Sequence, residues 1–317
     1  MNTSSPEKLY IQEVSVRDGF QIEPRFVPTE QKIQLINALS RTGLAKIEVT
    51  SFTSPKAIPN LADAEAVMSQ IERVDGVVYA ALVPNVRGCE RALACSVDEI
   101  NLVMSASQTH NLANLRMTTA QSLTQFEQVV KYVNGRAAIN ASLATTFGCP
   151  FEGPIPEQTI FELIQRCIDM GFNAVSLCDT TGMANPAQVE RLCSRVRERW
   201  PDLTITVHFH NTRAMGLPNV LAALRAGIDR FDASLGGLGG CPYAPGASGN
   251  VCTEDMVHML DAMGYNTGVQ LEQLIEISRL LPEIVGHDVP GQVAKAGPYT
   301  RRYPVPEAVQ ALSGDTQ

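Results

Sequence analysis

The sequence predicts an α/β fold consisting of a single (β/α)8 TIM barrel with additional C-terminal helices. Eight strand-like segments alternate with segments of helical period, and the strand segments are almost continuously apolar, which is typical of a buried parallel sheet. The doubly wound alternative needs a glycine-rich dinucleotide loop after the first strand. The chain has Arg17-Asp18-Gly19-Phe20-Gln21 there instead, which excludes that alternative.

Each predicted strand is short, β-branched or apolar, and followed by a longer segment of period 3.6. The predicted strands are Ile11–Val16, Lys46–Thr50, Val77–Val83, Glu99–Met104, Ala137–Ala144, Ala174–Cys178, Leu203–His208 and Arg230–Leu235. The predicted helices include Glu30–Arg41, Leu61–Glu72, Ser122–Val133, Glu157–Met170, Ala187–Arg199 and Leu217–Ala226. Gly43, Gly171 and Gly227 follow helical segments, where a left-handed cap is favoured.

The whole chain, 1–317, is expected to form one domain. Within it the barrel covers about 9–264, and a helical appendage covers about 265–317. The segment Leu271–Ile284 predicts one further helix in this appendage, and a stretch rich in proline and glycine follows it.

Composition excludes several classes of function. The net charge of −8 and the lack of a dense basic run give no support for nucleic-acid binding. No apolar stretch approaches the ~18 residues of a membrane span, and the first residues lack the plan of a signal peptide. The eight cysteines form no C-x-x-C pair, which argues against structural zinc and for free thiols in a reducing, cytoplasmic compartment. We expect most of them to be buried apolar residues.

Two histidines stand one residue apart at the end of the predicted seventh strand. Side chains alternate along a strand, so His208 and His210 face the same side. Two imidazoles at that spacing can bind one cation between them. The alternative is a buried, hydrogen-bonded histidine beside an unrelated neighbour.

Other polar residues lie within or directly after other strands, and the carboxyl ends of barrel strands are where catalytic groups gather. They are Arg17 and Asp18, Glu48, Asp179, and the loop Gly236–Asn250. Asp18 with the two histidines makes an open cation site, to which Asn250 adds an amide oxygen. Oxygen ligands favour Mg²⁺ or Mn²⁺ and histidines admit Zn²⁺, so spacing does not decide the metal.

The loop after the eighth strand has six glycines in fifteen residues, from Gly236 to Asn250. Such a composition favours a segment that opens and closes over a site. Cys241 stands near its middle, between Gly240 and Pro242. Exposed single cysteines are usually avoided, so we interpret Cys241 as a proton donor or nucleophile rather than an idle thiol.

Taken together, six stretches resemble the 3-hydroxy-3-methylglutaryl-CoA (HMG-CoA) lyase family, within the metal-dependent TIM-barrel lyase and Claisen synthase superfamily. They are V-S-V-R-D-G-F-Q (14–21), I-E-V-T-S-F-T-S-P-K (47–56), F-G-C-P-F-E-G (147–153), S-L-C-D-T-T-G (176–182), V-H-F-H-N-T (207–212) and G-L-G-G-C-P-Y-A-P-G-A-S-G-N (237–250). The resemblance extends from about Leu9 to Gly268, and the cysteine loop is its most specific part.

The resemblance implies a TIM barrel with Mg²⁺ or Mn²⁺, a CoA-thioester substrate and a homodimer. It assigns metal binding to Asp18, His208, His210 and Asn250, and catalysis to Arg17, Asp18, His208 and Cys241. It assigns substrate binding to Arg17, Gln21, Glu48 and Asp179.

The implied reaction is retro-Claisen cleavage of HMG-CoA to acetyl-CoA and acetoacetate, a step of leucine catabolism and ketone body formation. Asp18 or His208 accepts the hydroxyl proton, Arg17 faces the thioester carbonyl, and Cys241 protonates the enolate. Asn211 and Arg213 depart from the family pattern beside the histidines and so can reshape the acyl pocket. The alternatives are a lyase of the same mechanism acting on citramalyl-CoA, a Claisen-type synthase, and a binding protein built on an enzyme-derived barrel.

Overall fold

The computed structural model describes residues 8–240, 249–306 and 309. Eight parallel strands close into a barrel in chain order. Their bounds are β1 Tyr10–Glu13, β2 Lys46–Ser51, β3 Val78–Leu82, β4 Glu99–Ser105, β5 Ala138–Ala144, β6 Ala174–Asp179, β7 Thr204–Phe209 and β8 Arg230–Ala233. Strand β1 closes the barrel by pairing with β8, from Tyr10 opposite Arg230 to Glu13 opposite Ala233. The predicted TIM barrel is confirmed.

Helices surround the barrel. Within the described ranges they are α1 Thr29–Ser40, α2 Ala64–Gln70, α3 Val86–Ala94, α4 Gln108–Leu115, α5 Thr119–Val133, α6 Glu157–Asp169, α7 Pro186–Arg199, α8 Gly216–Arg225, α9 Thr253–Ala262, α10 Leu271–Ser278, α11 Leu281–Val285 and α12 Val293–Ala296. Helix starts follow local chemistry, since Thr118 and Gln121 form a reciprocal capping box on α5 and Asn185 caps α7. The additional C-terminal helices are confirmed, and Leu274 and Leu281 belong to the same apolar core as the barrel strands.

Several predicted boundaries were wrong by two or three residues, among them the starts of α2 and α5, and three differences have a structural cause. Strand β1 ends at Glu13 instead of Val16, because the chain curls into a π-helical turn at Ser15–Gly19. Strand β8 ends at Ala233, and a 3₁₀ turn, Leu235–Gly237, follows it. The helix predicted over Leu271–Ile284 is two helices, α10 and α11. Pro282 lies in the first turn of α11, and its ring and missing N–H prevent one continuous helix across this point.

The barrel interior is polar, although TIM barrels are usually filled by branched apolar residues. Seven of the eight strands place a polar side chain in it: Gln12, Glu48, Asn101, Asn140, Ser176, Thr206 and Asp232, whereas β3 contributes Ala80. The alternate residues of the same strands, such as Ile47, Ile100 and Phe231, are buried in the apolar core. The helices therefore pack on an apolar outer surface, and the interior holds hydrogen-bonding groups.

The described cysteines are free, and all but the half-buried Cys95 are buried. The prediction that most of them serve as small apolar residues is confirmed for this part of the chain. Among the described residues no helix is long and apolar enough to cross a membrane.

Candidate active site

Arg17 and Asp18 lie in the π-helical turn that follows β1. The N–H groups of both residues donate to the carbonyl of Val14, which curls the chain so that the two side chains enter the barrel mouth. Both side chains are buried, with 8% and 7% of their surface exposed. Single π-turns are often found at functional sites, and this one brings a cation and an anion to one place.

His208 and His210 face the same side at the end of β7, as their spacing predicts. Their Nε2 atoms are 3.3 Å apart, and both residues are buried. Asp18 joins them, because one ligand atom from each of the three residues lies within 4.8 Å of the others. The structure therefore brings together three predicted metal ligands from the loop after β1 and from β7.

Asn250 completes this group from the end of the glycine-rich loop. Its backbone pairs with that of His210, and its amide Nδ2 donates to Asp18 Oδ2 at 2.7 Å and to the carbonyl of Leu238 at 2.9 Å. Its Oδ1 is buried without a partner in the described part of the chain. Buried polar atoms are normally satisfied, so this orphaned amide oxygen fits a bound cation.

Glu48 and Asp18 hold Arg17. Arg17 Nε donates to Glu48 Oε2 at 2.5 Å, and Nη1 donates to Asp18 Oδ1 at 2.6 Å. Gln21 Nε2 also donates to Asp18 Oδ1, at 2.9 Å. Arg17 Nη2 has no acceptor among the described residues, so it is the guanidinium nitrogen available to a substrate.

Asp179 is the last residue of β6, and its two carboxylate oxygens differ in their hydrogen bonding. Its Oδ1 accepts the N–H groups of Met183 at 2.8 Å and Ala184 at 3.1 Å, whereas Oδ2 is buried with no partner among the described residues. Burial raises the pKa of Asp179 to about 6, although the two N–H groups oppose this. The carboxylate can therefore accept a further hydrogen bond at neutral pH.

The histidines and Asp18 have different proton affinities. Burial and the neighbouring His208 lower the pKa of His210 to about 3, which keeps it in the neutral form that binds metals. Burial also disfavours charge on His208, but Asp232 and Asp18 outweigh it and raise the pKa of His208. Burial likewise opposes ionisation of Asp18, but Arg17 and the two histidines outweigh it and lower the pKa of Asp18.

Sequence reasoning missed Asp232. It lies opposite His208 in the pairing of β7 with β8, and its Oδ2 is 3.3 Å from His208 Nδ1. Carboxylates in this position fix the ring orientation of metal-binding histidines and raise their basicity. The signal was an acidic residue between the buried Phe231 and Ala233 in the strand segment Arg230–Ala233.

Asn211 and Arg213 hold loops together. Asn211 Oδ1 accepts the N–H of Gly216 at 3.0 Å, and Arg213 Nη1 donates to the carbonyls of Thr181 and Gly182 at 3.0 and 2.9 Å. The contacts of both side chains therefore tie down the mouth of the barrel. Cys241 lies outside the described residues.

The fold and this site define a class of protein: a TIM barrel with a buried Asp–His–His cluster at the carboxyl end of its strands. Comparison with known proteins is more specific, because the HMGL-like family model matches residues 8–281. This chain belongs to the HMGL-like family.

Individual relatives agree. The chain is similar to a hydroxymethylglutaryl-CoA lyase of Bacillus subtilis, with 47% identity over 90% of this chain and 96% of that protein. It is 38% identical to an (R)-citramalyl-CoA lyase of Chloroflexus aurantiacus, over 92% of this chain and 96% of that protein. A solved HMG-CoA lyase from Acinetobacter baumannii, in complex with coenzyme A and 3-methylmalate, is 53% identical. The alignment covers 96% of this chain and all of that one, with a TM-score of 0.92.

Proposed function

We propose that this protein cleaves (S)-3-hydroxy-3-methylglutaryl-CoA to acetyl-CoA and acetoacetate by a cation-dependent retro-Claisen reaction. The observation that carries the proposal is the buried cluster of Asp18, His208 and His210 beside Arg17. The relationship to HMG-CoA lyases, at 47% identity with the Bacillus subtilis protein, supports the same reaction.

We assign the cation site to Asp18, His208, His210 and the amide oxygen of Asn250, and the cation to Mg²⁺ or Mn²⁺. The unpartnered Asn250 Oδ1 supports this set, since an amide oxygen is a ligand that these hard cations accept. A bound divalent cation supplies positive charge that lowers the pKa of a substrate hydroxyl.

Arg17 acts on the thioester. Its Nε and Nη1 are held by two carboxylates, so the guanidinium is fixed before substrate binds and Nη2 is free to donate to the carbonyl oxygen. Negative charge develops on that oxygen as the bond breaks, and one fixed donor there is worth roughly 3–4 kcal/mol. Substrate binding is assigned to Arg17, Gln21, Glu48 and Asp179, and the free Oδ2 of Asp179 supports its place in this set.

The reaction needs one proton acceptor and one proton donor. The C3 hydroxyl gives its proton to Asp18 or His208, the C2–C3 bond breaks, and its electron pair moves onto the thioester as the enolate of acetyl-CoA. We assign protonation of the C2 carbon to Cys241.

Citramalyl-CoA is the second candidate substrate. It shares the 3-hydroxy-3-methylacyl thioester and has a carboxylate arm one methylene shorter, and a citramalyl-CoA lyase is 38% identical to this chain. A pocket distinguishes one methylene by only ~1–3 kcal/mol, so both substrates are tested. No observation favours the synthase or the binding protein.

The test is acetyl-CoA release from HMG-CoA and from citramalyl-CoA, each with and without Mg²⁺ or Mn²⁺. We expect fast, cation-dependent cleavage of HMG-CoA. If only citramalyl-CoA is cleaved, the proposed mechanism stands and the proposed substrate changes from HMG-CoA to citramalyl-CoA. If the protein binds the cation but cleaves neither thioester, the proposed function is wrong.

Two further properties are proposed for the protein in its cell. We infer a homodimer from the family resemblance, and sedimentation of the purified protein tests it. We also propose a cytoplasmic location, which is consistent with the seven free cysteines of the described chain.

A further inference from the structure

A chain of polar side chains crosses the barrel interior and ends at Arg17. Ser176 on β6, Asn140 and Ser142 on β5, and Asn101 on β4 are all buried. None of them was singled out from the sequence, and none has a role in the reaction described above. A buried polar side chain destabilises a fold unless it has hydrogen-bond partners. Four of them together in the barrel interior therefore suggest a functional role.

Two donors of this polar group converge on the side-chain oxygen of Asn101. Asn140 Nδ2 donates to Asn101 Oδ1 at 3.0 Å and to Ser176 Oγ at 3.0 Å, and Ser142 Oγ donates to Asn101 Oδ1 at 2.8 Å. With two donors on its oxygen, Asn101 turns its amide nitrogen toward Glu48 and donates to Oε1 at 2.8 Å. Glu48 therefore has one donor on each oxygen, Asn101 on Oε1 and Arg17 on Oε2.

We propose that Asn101 and Asn140 are positioning residues that fix the Glu48 carboxylate and, through it, aim the guanidinium of Arg17 at the substrate carbonyl. This inference rests on the proposed function, because it assigns these residues to the same reaction. Neither asparagine touches the substrate.

The physical argument is that a carboxylate with one donor has a choice of rotamers. The Glu48 side chain has three rotatable bonds. The hydrogen bond from Arg17 Nε fixes the position of only one of its two carboxylate oxygens. The bond from Asn101 constrains the other oxygen and fixes the carboxylate plane. The orientation of the Arg17 guanidinium depends on the orientation of this carboxylate. A displacement of about 1 Å in a catalytic group lowers the rate by up to about 100-fold.

The first variant is Asn101→Leu, which keeps the approximate volume and removes both hydrogen-bonding groups. We expect kcat for acetyl-CoA release to fall by about tenfold to a hundredfold with little change in KM, because Arg17 acts mainly in the transition state. Asn140→Ser is the milder second variant, should Asn101→Leu fail to fold. It keeps a hydroxyl but cannot span the same distances, and we expect a smaller loss of kcat.

The matched control is Gln12→Leu. Gln12 also faces the barrel interior and is buried, but its only side-chain hydrogen bond in the described chain is a long one, 3.3 Å to Thr206 Oγ1. It does not belong to the polar chain, so we expect kcat to stay within about twofold of the wild type. A loss of kcat in Gln12→Leu as large as in Asn101→Leu would overturn the inference, since any interior substitution would then be harmful.

A double-mutant cycle tests whether the asparagine acts through Glu48. In a Glu48→Gln background, Asn101→Leu should have little further effect on kcat, because the carboxylate that it orients is already gone. Multiplicative losses from the two substitutions would show that Asn101 acts by another route and would overturn the inference.

A readout independent of activity is the Nε–H resonance of Arg17 in ¹⁵N-labelled protein, assigned by its absence in Arg17→Lys. We expect Asn101→Leu to shift this resonance and speed its exchange with water, and Gln12→Leu to leave it unchanged. If the wild type cleaves neither thioester, the proposed function fails while this measurement still tests the orientation of Arg17. If the wild type is active and Asn101→Leu keeps both its kcat and the wild-type resonance, the positioning role is refuted.

Discussion

Substitution of Asp232 gives the sharpest test of the cation site, because Asp232 contacts the proposed ligand His208 and is not itself a proposed ligand. Its Oδ2 lies 3.3 Å from His208 Nδ1, and the two side chains are 15% and 9% exposed. At that distance a full charge pair in a medium of effective dielectric ~20 is worth at most ~5 kcal/mol. A cation-bound histidine bears only part of the charge, so we expect less than that limit.

Carboxylates behind a metal-binding histidine typically contribute ~10- to 100-fold in affinity, or ~1.4–2.7 kcal/mol. Asp232→Asn keeps an acceptor and loses the charge, so we expect Mn²⁺ to bind about tenfold more weakly. Asp232→Ala also loses the hydrogen bond, so we expect about a hundredfold. Titration of free Mn²⁺ by electron paramagnetic resonance measures both.

The control is Asp229→Asn, one residue before the opposite end of the same strand, which should bind Mn²⁺ like the wild type. Wild-type affinity in both Asp232 variants would refute the reasoning that the carboxylate supports His208. At saturating Mn²⁺ the same variants also identify the proton acceptor. A fall in kcat indicates His208, whose ring Asp232 holds, and an unchanged kcat indicates Asp18.

Cys241→Ser should keep wild-type Mn²⁺ affinity and lose turnover by orders of magnitude; wild-type turnover would remove Cys241 from the mechanism. Gly249→Ala places a Cβ 2.0 Å from the carbonyl oxygen of Gly237, so it should displace the neighbouring Asn250 and weaken Mn²⁺ binding. The control is Gly264→Ala, where the backbone φ is also positive but a Cβ meets open space, and Mn²⁺ should bind it like the wild type. Equal Mn²⁺ affinity of the two variants would contradict this prediction. Burial raises the pKa of Glu13 to about 7, so the folded protein holds a proton that the unfolded chain releases above its ordinary pKa of 4.5. The free energy of unfolding should therefore fall by about 3 kcal/mol between pH 4.5 and 7 through this group, and Glu13→Gln should lack that part of the pH dependence. Urea denaturation across this range measures it, and parallel pH profiles for wild type and variant would contradict it.

Much of the fold followed from local patterns along the chain. The alternation of apolar strands with helical periods is a property of neighbouring residues, so all eight strands and the barrel could be predicted. The ends of β1 and β8 differed from the prediction where side chains and backbone from the two strands meet. Strand β1 stops early because Glu13 Oε1 accepts the N–H of Ser15, and the same oxygen accepts the N–H of Leu235 from beyond β8.

The candidate site divides in the same way. His208 and His210 are one strand repeat apart, so the sequence by itself determined that they face one way. Asp18 and Asn250 are 232 residues apart, and only closure of the barrel decided that their side chains are 2.7 Å from each other. Asp232 and Asn101 stand at alternate positions of apolar strands, a pattern that places them in the interior but names no partner. Their partners, His208 and Glu48, belong to neighbouring or more distant strands, and register across the barrel is fixed by tertiary packing rather than by the local sequence.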